Sequence, residues 1–141
     1  MRMPDVNILV YAHREETPDH KRYAEWLVQL ASGPEPFALS ESVLQDFVRV
    51  VTNPRIFSPA STVEETFQFL DALLDRPGCV LIRPGPLHWT ILRQVCGSGN
   101  AKGKLVADAA HAALAIESGC EWVTADTDFA RFAPPFRWVH L

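Results

Sequence analysis

The sequence predicts a single α/β domain, with a central, mostly parallel β-sheet flanked by helices on both faces. Two observations predict this class. Short apolar segments alternate along the chain with longer segments whose apolar residues recur at helical spacing. Prolines and glycines fall mostly between these segments and separate them into distinct elements. The length of 141 residues is typical of one domain, so a single domain over residues 1–141 is expected.

Five short segments are predicted strands. They cover residues 3–6, 37–39, 79–82, 122–124 and 136–140. The apolar run 8–12 is left open between strand and buried helix, because its periodicity fits both. Since strands that alternate with helices form parallel sheets, a ligand site is expected at the carboxyl ends of these strands.

Helical spacing predicts most of the remaining elements. The predicted helices cover residues 20–31, 87–95 and 105–116, together with two segments that follow Ser40 and Thr62. Ser40 is a favourable N-cap residue, and Thr62 with Glu65 three positions later predicts a capping box. Gly119 is expected to end the alanine-rich helix.

The composition is that of a folded protein, with 48% hydrophobic and 21% charged residues. The cysteines Cys79, Cys96 and Cys120 are widely spaced and form no CxxC pair, so reduced thiols in the cytoplasm are expected. No segment has the apolar length of a membrane span, and no signal peptide is evident. The formal net charge of −4 argues against nucleic-acid binding through bulk positive charge, although local lysines and arginines can still hold phosphates.

Four acidic residues fall where a site of the expected kind would form. Asp5 ends the first predicted strand, Glu41 follows the second, and Asp126 follows the fourth. Asp108 lies in the first turns of the alanine-rich helix, and Asp128 lies two residues beyond Asp126. Each residue alone also has a structural explanation, as a turn residue, a partner of a helix dipole or a cap. Their joint placement after successive strands indicates a site.

A cluster of carboxylates restricts the chemistry of such a site. Neighbouring carboxylates raise one another's pKa values, and a bound divalent cation removes that penalty. All-oxygen ligands favour Mg²⁺ or Mn²⁺ over Zn²⁺, and such an ion suits the hydrolysis of phosphodiesters. No G-x-S-x-G nucleophile motif is present. The residues alone therefore predict a metal site for phosphate chemistry.

These residues and their neighbours resemble the PIN domain, and in particular the VapC-type toxins of bacterial toxin–antitoxin systems. The matching segments are Asp5-Val6-Asn7, Ser40-Glu41, Asp108-Ala109 and the stretch 123–129, in the same order along nearly the whole chain. The Thr-x-Asp-x-Asp-Phe pattern in the last segment is the most distinctive. The resemblance implies a PIN fold, and it makes residues 8–12 part of a first helix.

The resemblance also implies an activity and its partners. The activity is that of a Mg²⁺- or Mn²⁺-dependent endoribonuclease that cuts structured RNA such as tRNA or rRNA. A small cognate antitoxin would fold onto the toxin and block its site, and the chain would form a homodimer.

Residue roles carry over from the family position by position. The catalytic acids would be Asp5, Glu41, Asp108 and Asp126. Asp5, Asp108 and Asp126 would bind the metal directly or through water, and Glu41 would help to position the attacking water. The supporting residues would be Asn7, Thr124 and Asp128, of which Asp128 is a reserve ligand.

Several other positions have two interpretations. Lys104, one helical turn before Asp108, is a candidate for binding an RNA phosphate, as is Lys102, but a solvated loop explains both equally well. His111 could meet a phosphate, although a partly exposed helix histidine is the simpler interpretation. Two explanations are equally good for Leu27, Leu30 and the helix that contains Phe47. They could line an apolar groove for an antitoxin helix, or they could belong to the core.

A ribonuclease toxin is the leading hypothesis from these observations. The alternatives are a metal-dependent phosphatase or DNA nuclease on a similar fold, and a non-catalytic regulatory module that only binds a partner. The complete set of acids argues against the non-catalytic module.

Overall fold

The computed structural model describes all 141 residues. The five strands are β1 (Arg2–Pro4), β2 (Phe37–Ser40), β3 (Cys79–Ile82), β4 (Glu121–Thr124) and β5 (Trp138–His140). The six α-helices are α1 (Val6–His13), α2 (His20–Ser32), α3 (Glu41–Val51), α4 (Val63–Leu74), α5 (His88–Ser98) and α6 (Leu105–Ser118). A short 3-10 helix spans Thr127–Phe132.

The strands form one parallel sheet in the order β3-β2-β1-β4-β5. Ser40 is in register with Ile82, and Pro4 is in register with Val123. Because all the strands run in the same direction, their carboxyl ends lie along one edge of the sheet. The chain adds β2 and β3 on one side of β1 and β4 on the other. The boundary between β1 and β4 is therefore the switch point at which sheets of this kind bind ligands.

Helices cover both faces of the sheet. α1 packs against α2 and α3, and α3 packs against α4, whereas α5 packs against α6. Right-handed crossovers place these two groups on opposite faces, since the connections lead to opposite sides of β1. The predicted α/β class is confirmed, with a sheet that is parallel throughout. None of the helices combines the length and the apolar character needed to cross a membrane.

Close packing of α6 against the sheet positions one end of this helix. Ala109, Ala112 and Ala113 are fully buried, and their small side chains let the helix approach Trp122 of β4, which is itself fully buried. Trp122 therefore lies in the core. The first turn of α6, which carries Asp108, is consequently held near the carboxyl edge of β4.

The predicted helix ends agree with the structure. The Ser40 side chain accepts a hydrogen bond from the Val43 amide at the start of α3, and Thr62 and Glu65 form a reciprocal capping box on α4. Gly119 ends α6 with a φ of 68°, a left-handed conformation that glycine adopts at little cost.

Several predicted boundaries differ from the structure, most of them by one or two residues. β1 ends at Pro4, before the predicted end at residue 6, because the Asp5 carboxylate accepts a hydrogen bond from Val6 N and begins α1. The run 8–12 is helical, so two helices separate β1 from β2. α5 continues to Ser98, and β5 begins only at Trp138, because Phe136 is instead buried among other phenylalanines of the core.

Candidate active site

Asp5 lies at the centre of the carboxyl edge, immediately after β1. Its side chain is buried, with 4% of the residue exposed. The Val6 amide donates a 2.6 Å hydrogen bond to Oδ1, and the Thr124 hydroxyl at the end of β4 donates a 2.6 Å hydrogen bond to Oδ2. Since β1 and β4 are neighbouring strands, the fold itself brings together residues from opposite ends of the chain.

Asn7 and Thr124 hold this carboxylate in a small polar network. Asn7 Nδ2 lies 3.0 Å from Asp5 Oδ2 and 3.2 Å from Thr124 Oγ1. The Ala125 amide donates to Asn7 Oδ1 at 3.2 Å, and the Asp126 amide donates to Thr124 Oγ1 at 3.0 Å. Asn7 and Thr124, which were predicted as supporting residues of the site, thus both contact Asp5.

Burial dominates the electrostatics of Asp5. Removal from water raises the pKa of the Asp5 carboxyl from 3.8 to about 6, although the hydrogen bonds from Thr124 and Val6 oppose that rise. The negative charges of Asp108 and Asp126 raise this pKa further. The hydrogen-bond donors to Asp5 are all uncharged, so none of them supplies a counter-charge for its ionised form.

Asp108, in the first turn of α6, is the second member of the cluster. Burial raises the pKa of this half-buried carboxyl, and the charges of Asp126 and Asp128 raise it further. Arg131 and Lys104 lower the pKa of Asp108. Lys104, which directly precedes α6, is therefore close enough to act on the cluster.

Arg131 was not identified from the sequence. The signal that could have found it is its position in the short helix that follows Asp126, three residues after Asp128. A base at that position faces back toward the acids that begin the same helix.

Asp126 and Asp128 occupy different surroundings. The Asp126 side chain accepts a 2.8 Å hydrogen bond from the Asp128 amide and caps the 3-10 helix. The charge of Asp126 raises the pKa values of both Asp5 and Asp108, and Asp126 is less exposed than Asp128, whose charge raises the pKa of Asp108. Asp126 is the more central of the two residues.

Glu41 is not brought into the aspartate cluster. It begins α3 directly after β2, and its carboxylate is paired with Arg83, which directly follows β3. Both side chains are exposed, and the Arg83 guanidinium supplies a counter-charge for Glu41. Sequence reasoning missed Arg83, although it follows its strand just as Glu41 follows the neighbouring one.

The acids of the site have the chemistry of metal ligands, although they do not form a closed cage. No group of three or more His, Cys, Asp or Glu side chains converges closely enough to hold an ion by itself. The available donors are carboxylate oxygens, and Asp5, Asp108 and Asp126 are coupled by charge. This donor set fits Mg²⁺ or Mn²⁺, which accept one or two carboxylates and complete their coordination with water and phosphate oxygens.

His111 does not face the site. Its ring stacks on Trp122 with centroids 5.2 Å apart, and Nε2 lies 4.0 Å from Asp46 Oδ2 of α3. Burial lowers the pKa of His111, and the Asp46 charge opposes that shift. The residue is half-buried and its side chain is 12% exposed, which agrees with a partly exposed helix histidine that packs against the sheet.

Two concave surfaces lie away from the acids. An apolar groove of about 210 Å³ between α2 and α4 is lined by Ala12, Ala24, Leu27, Val28, Ala31, Phe69, Ala72, Leu73 and Arg76. Leu27 thus lines this groove, whereas Phe47 is fully buried in the core. A larger cleft of about 550 Å³, which includes Leu30, lies at the amino ends of the strands and contains none of the predicted catalytic residues.

The fold and the ordered acids define a known class. The PIN domain family model matches residues 2–134. The chain belongs to the PIN domain family.

Individual relatives are similar over nearly the whole chain. Ribonuclease VapC43 of Mycobacterium tuberculosis is 44% identical over 136 residues, which cover 96% of this chain and 92% of the relative. The VapBC2 structure from Rickettsia felis, bound to a promoter DNA fragment, has a TM-score of 0.72 at 22% identity and covers 99% of this chain and 97% of its own. VapC20 of Mycobacterium tuberculosis, a toxin that cleaves the sarcin–ricin loop, has a TM-score of 0.64 at 16% identity, with all of both chains covered.

Proposed function

We propose that the protein is an endoribonuclease that hydrolyses phosphodiester bonds of structured RNA and acts as the toxin of a toxin–antitoxin pair. The observation that carries this proposal is the buried Asp5 carboxylate at the switch point of the sheet, coupled by charge to Asp108 and Asp126. The identity to a VapC ribonuclease over nearly the whole chain supports RNA as the substrate. The likeness to VapC20 supports a structured region of RNA, such as tRNA or rRNA, as the target.

Mg²⁺, or alternatively Mn²⁺, is the proposed cofactor, and Asp5, Asp108 and Asp126 are the residues that would hold it. When bound, such an ion activates water and offsets the charge that develops on the phosphate oxygens. Burial and two neighbouring acids raise the pKa of Asp5 to about 6, so its ionised form is disfavoured without a counter-charge. A bound cation would supply that counter-charge.

The remaining site residues orient the reacting groups and do not themselves hold the metal. Thr124 and Asn7 hold the Asp5 carboxylate in one orientation through the hydrogen bonds that they donate to it. Lys104 is exposed beside Asp108 and is placed to bind a phosphate of the RNA backbone. Glu41 completes the catalytic set by orienting the attacking water, with Asp128 as a reserve ligand at the rim.

A small antitoxin is the proposed protein partner. The groove between α2 and α4 is lined by eight apolar residues and by Arg76. A groove of this composition fits the apolar face of an amphipathic helix, and an acidic residue on that helix would pair with Arg76. The similarity to the VapBC2 complex supports an antitoxin as the partner, and the groove is our proposal for its place of binding. A homodimer in the cytoplasm completes the proposal, with the exposed Leu87 and Trp89 at the start of α5 as apolar surface for the second copy.

One parallel assay tests the reaction class. The purified protein is incubated with a hairpin RNA, a single-stranded DNA of matching sequence and a phosphomonoester, each with Mn²⁺ and with EDTA. The proposal expects Mn²⁺-dependent internal cleavage of the RNA alone. Cleavage of DNA or release of phosphate would identify one of the alternative enzymes, and no reaction with any substrate would favour a regulatory binding module.

A further inference from the structure

Four residues form a row along the carboxyl edge of the sheet. Arg83 follows β3, Glu41 follows β2, Asp5 follows β1, and Asp126 lies beyond β4, and these strands are neighbours in that order. Adjacent strands lie about 4.8 Å apart, so Arg83 is about two strand spacings from Asp5. The row therefore places one guanidinium beside the acids, at the β3 end.

The pair of Arg83 and Glu41 is fixed by the register of the two strands. Ile82 is aligned with Ser40, so the next residue of each strand, Arg83 and Glu41, leaves the sheet at the same level. Arg83 Nε donates a hydrogen bond to Glu41 Oε2. This contact pairs Glu41, the predicted catalytic acid outside the aspartate cluster, with Arg83, for which the sequence predicted no role.

We propose that Arg83 is a positioning residue that holds Glu41 in the RNA-free protein and exchanges Glu41 for a phosphate of bound RNA, which frees the Glu41 carboxylate for the metal site. This inference rests on the proposed function. Glu41 would thus join the other acids of the site only when RNA is bound.

The exposure of the pair makes the exchange feasible. Arg83 is 64% exposed and Glu41 is 54% exposed, and ion pairs with such access to water are weak. A guanidinium forms two parallel hydrogen bonds with a phosphate, so an arriving phosphate competes effectively with a single-contact carboxylate. The same exposure leaves both partners within reach of a substrate on the surface.

The exchange would change the negative charge near the metal site. In the ion pair, the positive charge of Arg83 offsets the negative charge of Glu41. Released from Arg83, Glu41 becomes an additional negative charge on the neighbouring strand. Such a charge increases the affinity of the edge for a divalent cation.

Binding measurements without catalysis test this inference. The variants are Arg83→Met, Glu41→Gln and the double variant, with Arg49→Met as a control because Arg49 forms an exposed ion pair with Asp46 on the same helix as Glu41. Mn²⁺ binding is measured by calorimetry without RNA. Binding of a labelled hairpin RNA is measured by fluorescence anisotropy in EDTA over a range of salt concentrations.

We expect Arg83→Met to change the two affinities in opposite directions. Arg83→Met raises the affinity for Mn²⁺ by about two- to fivefold, the strength of an exposed ion pair, and has no such effect when Glu41 is already glutamine. The same substitution weakens RNA binding and reduces the salt slope by about one, the value for one lost phosphate contact. Arg49→Met changes neither measurement.

Two results would overturn the inference. One is an unchanged Mn²⁺ affinity in Arg83→Met, and the other is a rise of equal size in the Glu41→Gln background, which would indicate only a general charge effect. If wild-type protein cleaves RNA and binds Mn²⁺ in either of these cases, the inference fails and the proposed function stands. If wild-type protein binds no Mn²⁺, both fail.

Discussion

The Thr124 hydroxyl donates a 2.6 Å hydrogen bond to Asp5 Oδ2, although the two residues are 119 positions apart in the sequence. The same hydroxyl oxygen accepts hydrogen bonds from Asn7 Nδ2 and from the Asp126 amide. One side chain thus joins the ends of β1 and β4 and orients the loop that carries Asp126.

The first prediction concerns this hydroxyl. Thr124→Val keeps the shape of the side chain but leaves the buried Asp5 carboxylate without its strongest side-chain donor. We expect unfolding in urea to become easier by about 1–3 kcal/mol, because buried polar groups lose their partner. We also expect the pKa of Asp5 to rise above about 6, since this hydrogen bond opposes the effect of burial.

Thr124→Ser is the matched control, because it retains the hydroxyl. The pH midpoint for Mn²⁺ binding should move upward in Thr124→Val and stay near the wild-type value in Thr124→Ser. Equal midpoints in all three proteins would show that Thr124 does not tune Asp5.

The second prediction concerns stability and pH in the metal-free protein. The pKa of Asp5 is about 6 in the fold and 3.8 in the unfolded chain. Because the folded-state value is raised, the stabilising contribution is fully present below pH 3.8 and is lost as the pH rises through about 6. A shift of about two units corresponds to about 3 kcal/mol.

Asp5→Asn isolates this contribution, because an amide does not titrate. In EDTA, the free energy of unfolding of the wild type should fall between pH 4 and pH 7 by about 3 kcal/mol more than that of Asp5→Asn. Parallel pH dependences of the two proteins would contradict a buried carboxylate at this position.

The third prediction concerns Lys104. This exposed lysine lowers the pKa of Asp108 and is proposed to bind an RNA phosphate. Lys104→Met should weaken RNA binding and reduce its salt slope by about one, without loss of thermal stability. Lys21→Met, on the distant helix α2, is the control and should leave the slope unchanged. An unchanged slope in Lys104→Met would assign Lys104 to the solvated loop instead.

The fourth prediction concerns the apolar groove. Ala72 is exposed on α4 within this groove, so Ala72→Glu places a charge where an antitoxin helix would pack. We expect the variant to retain its nuclease activity but to escape inhibition by the antitoxin. Val63→Glu, at a position on the same helix that is 63% exposed and outside the groove, should remain inhibited. Inhibition of Ala72→Glu at wild-type antitoxin concentrations would place the partner elsewhere.

The fold could be predicted from the sequence because its signals are local. Apolar periodicity and caps such as Ser40 and Thr62 depend on neighbouring residues only, and they marked most elements. The end of β1 could not be placed, since Asp5 serves both the helix and the site. Phe136 was placed in a strand because apolar character does not distinguish a strand residue from one buried by aromatic neighbours.

The site could be predicted only in part, for a similar reason. Asp5, Asp108 and Asp126 were predicted from their positions after strands or at a helix start, and the structure couples their charges. The pairing of Glu41 with Arg83 was missed, because it depends on the neighbouring positions of β2 and β3 in the sheet. The stacking of His111 on Trp122 was not predicted, because it results from the packing of α6 against β4 and not from helical spacing.

The central claim is that Asp5, Asp108 and Asp126 hold a metal ion for the hydrolysis of RNA. The most direct test compares cleavage of a hairpin RNA by wild type, Asp108→Asn and Asp71→Asn in Mn²⁺ and in EDTA, with folding checked by circular dichroism. Asp71 is an exposed acid on α4 that lies outside the cluster. We expect cleavage by wild type and Asp71→Asn in Mn²⁺ only, and at least about a 100-fold loss in folded Asp108→Asn, since even indirect partners of metal ligands cost ten- to a hundredfold. Cleavage by Asp108→Asn at the wild-type rate, or equal cleavage in EDTA, would contradict the account.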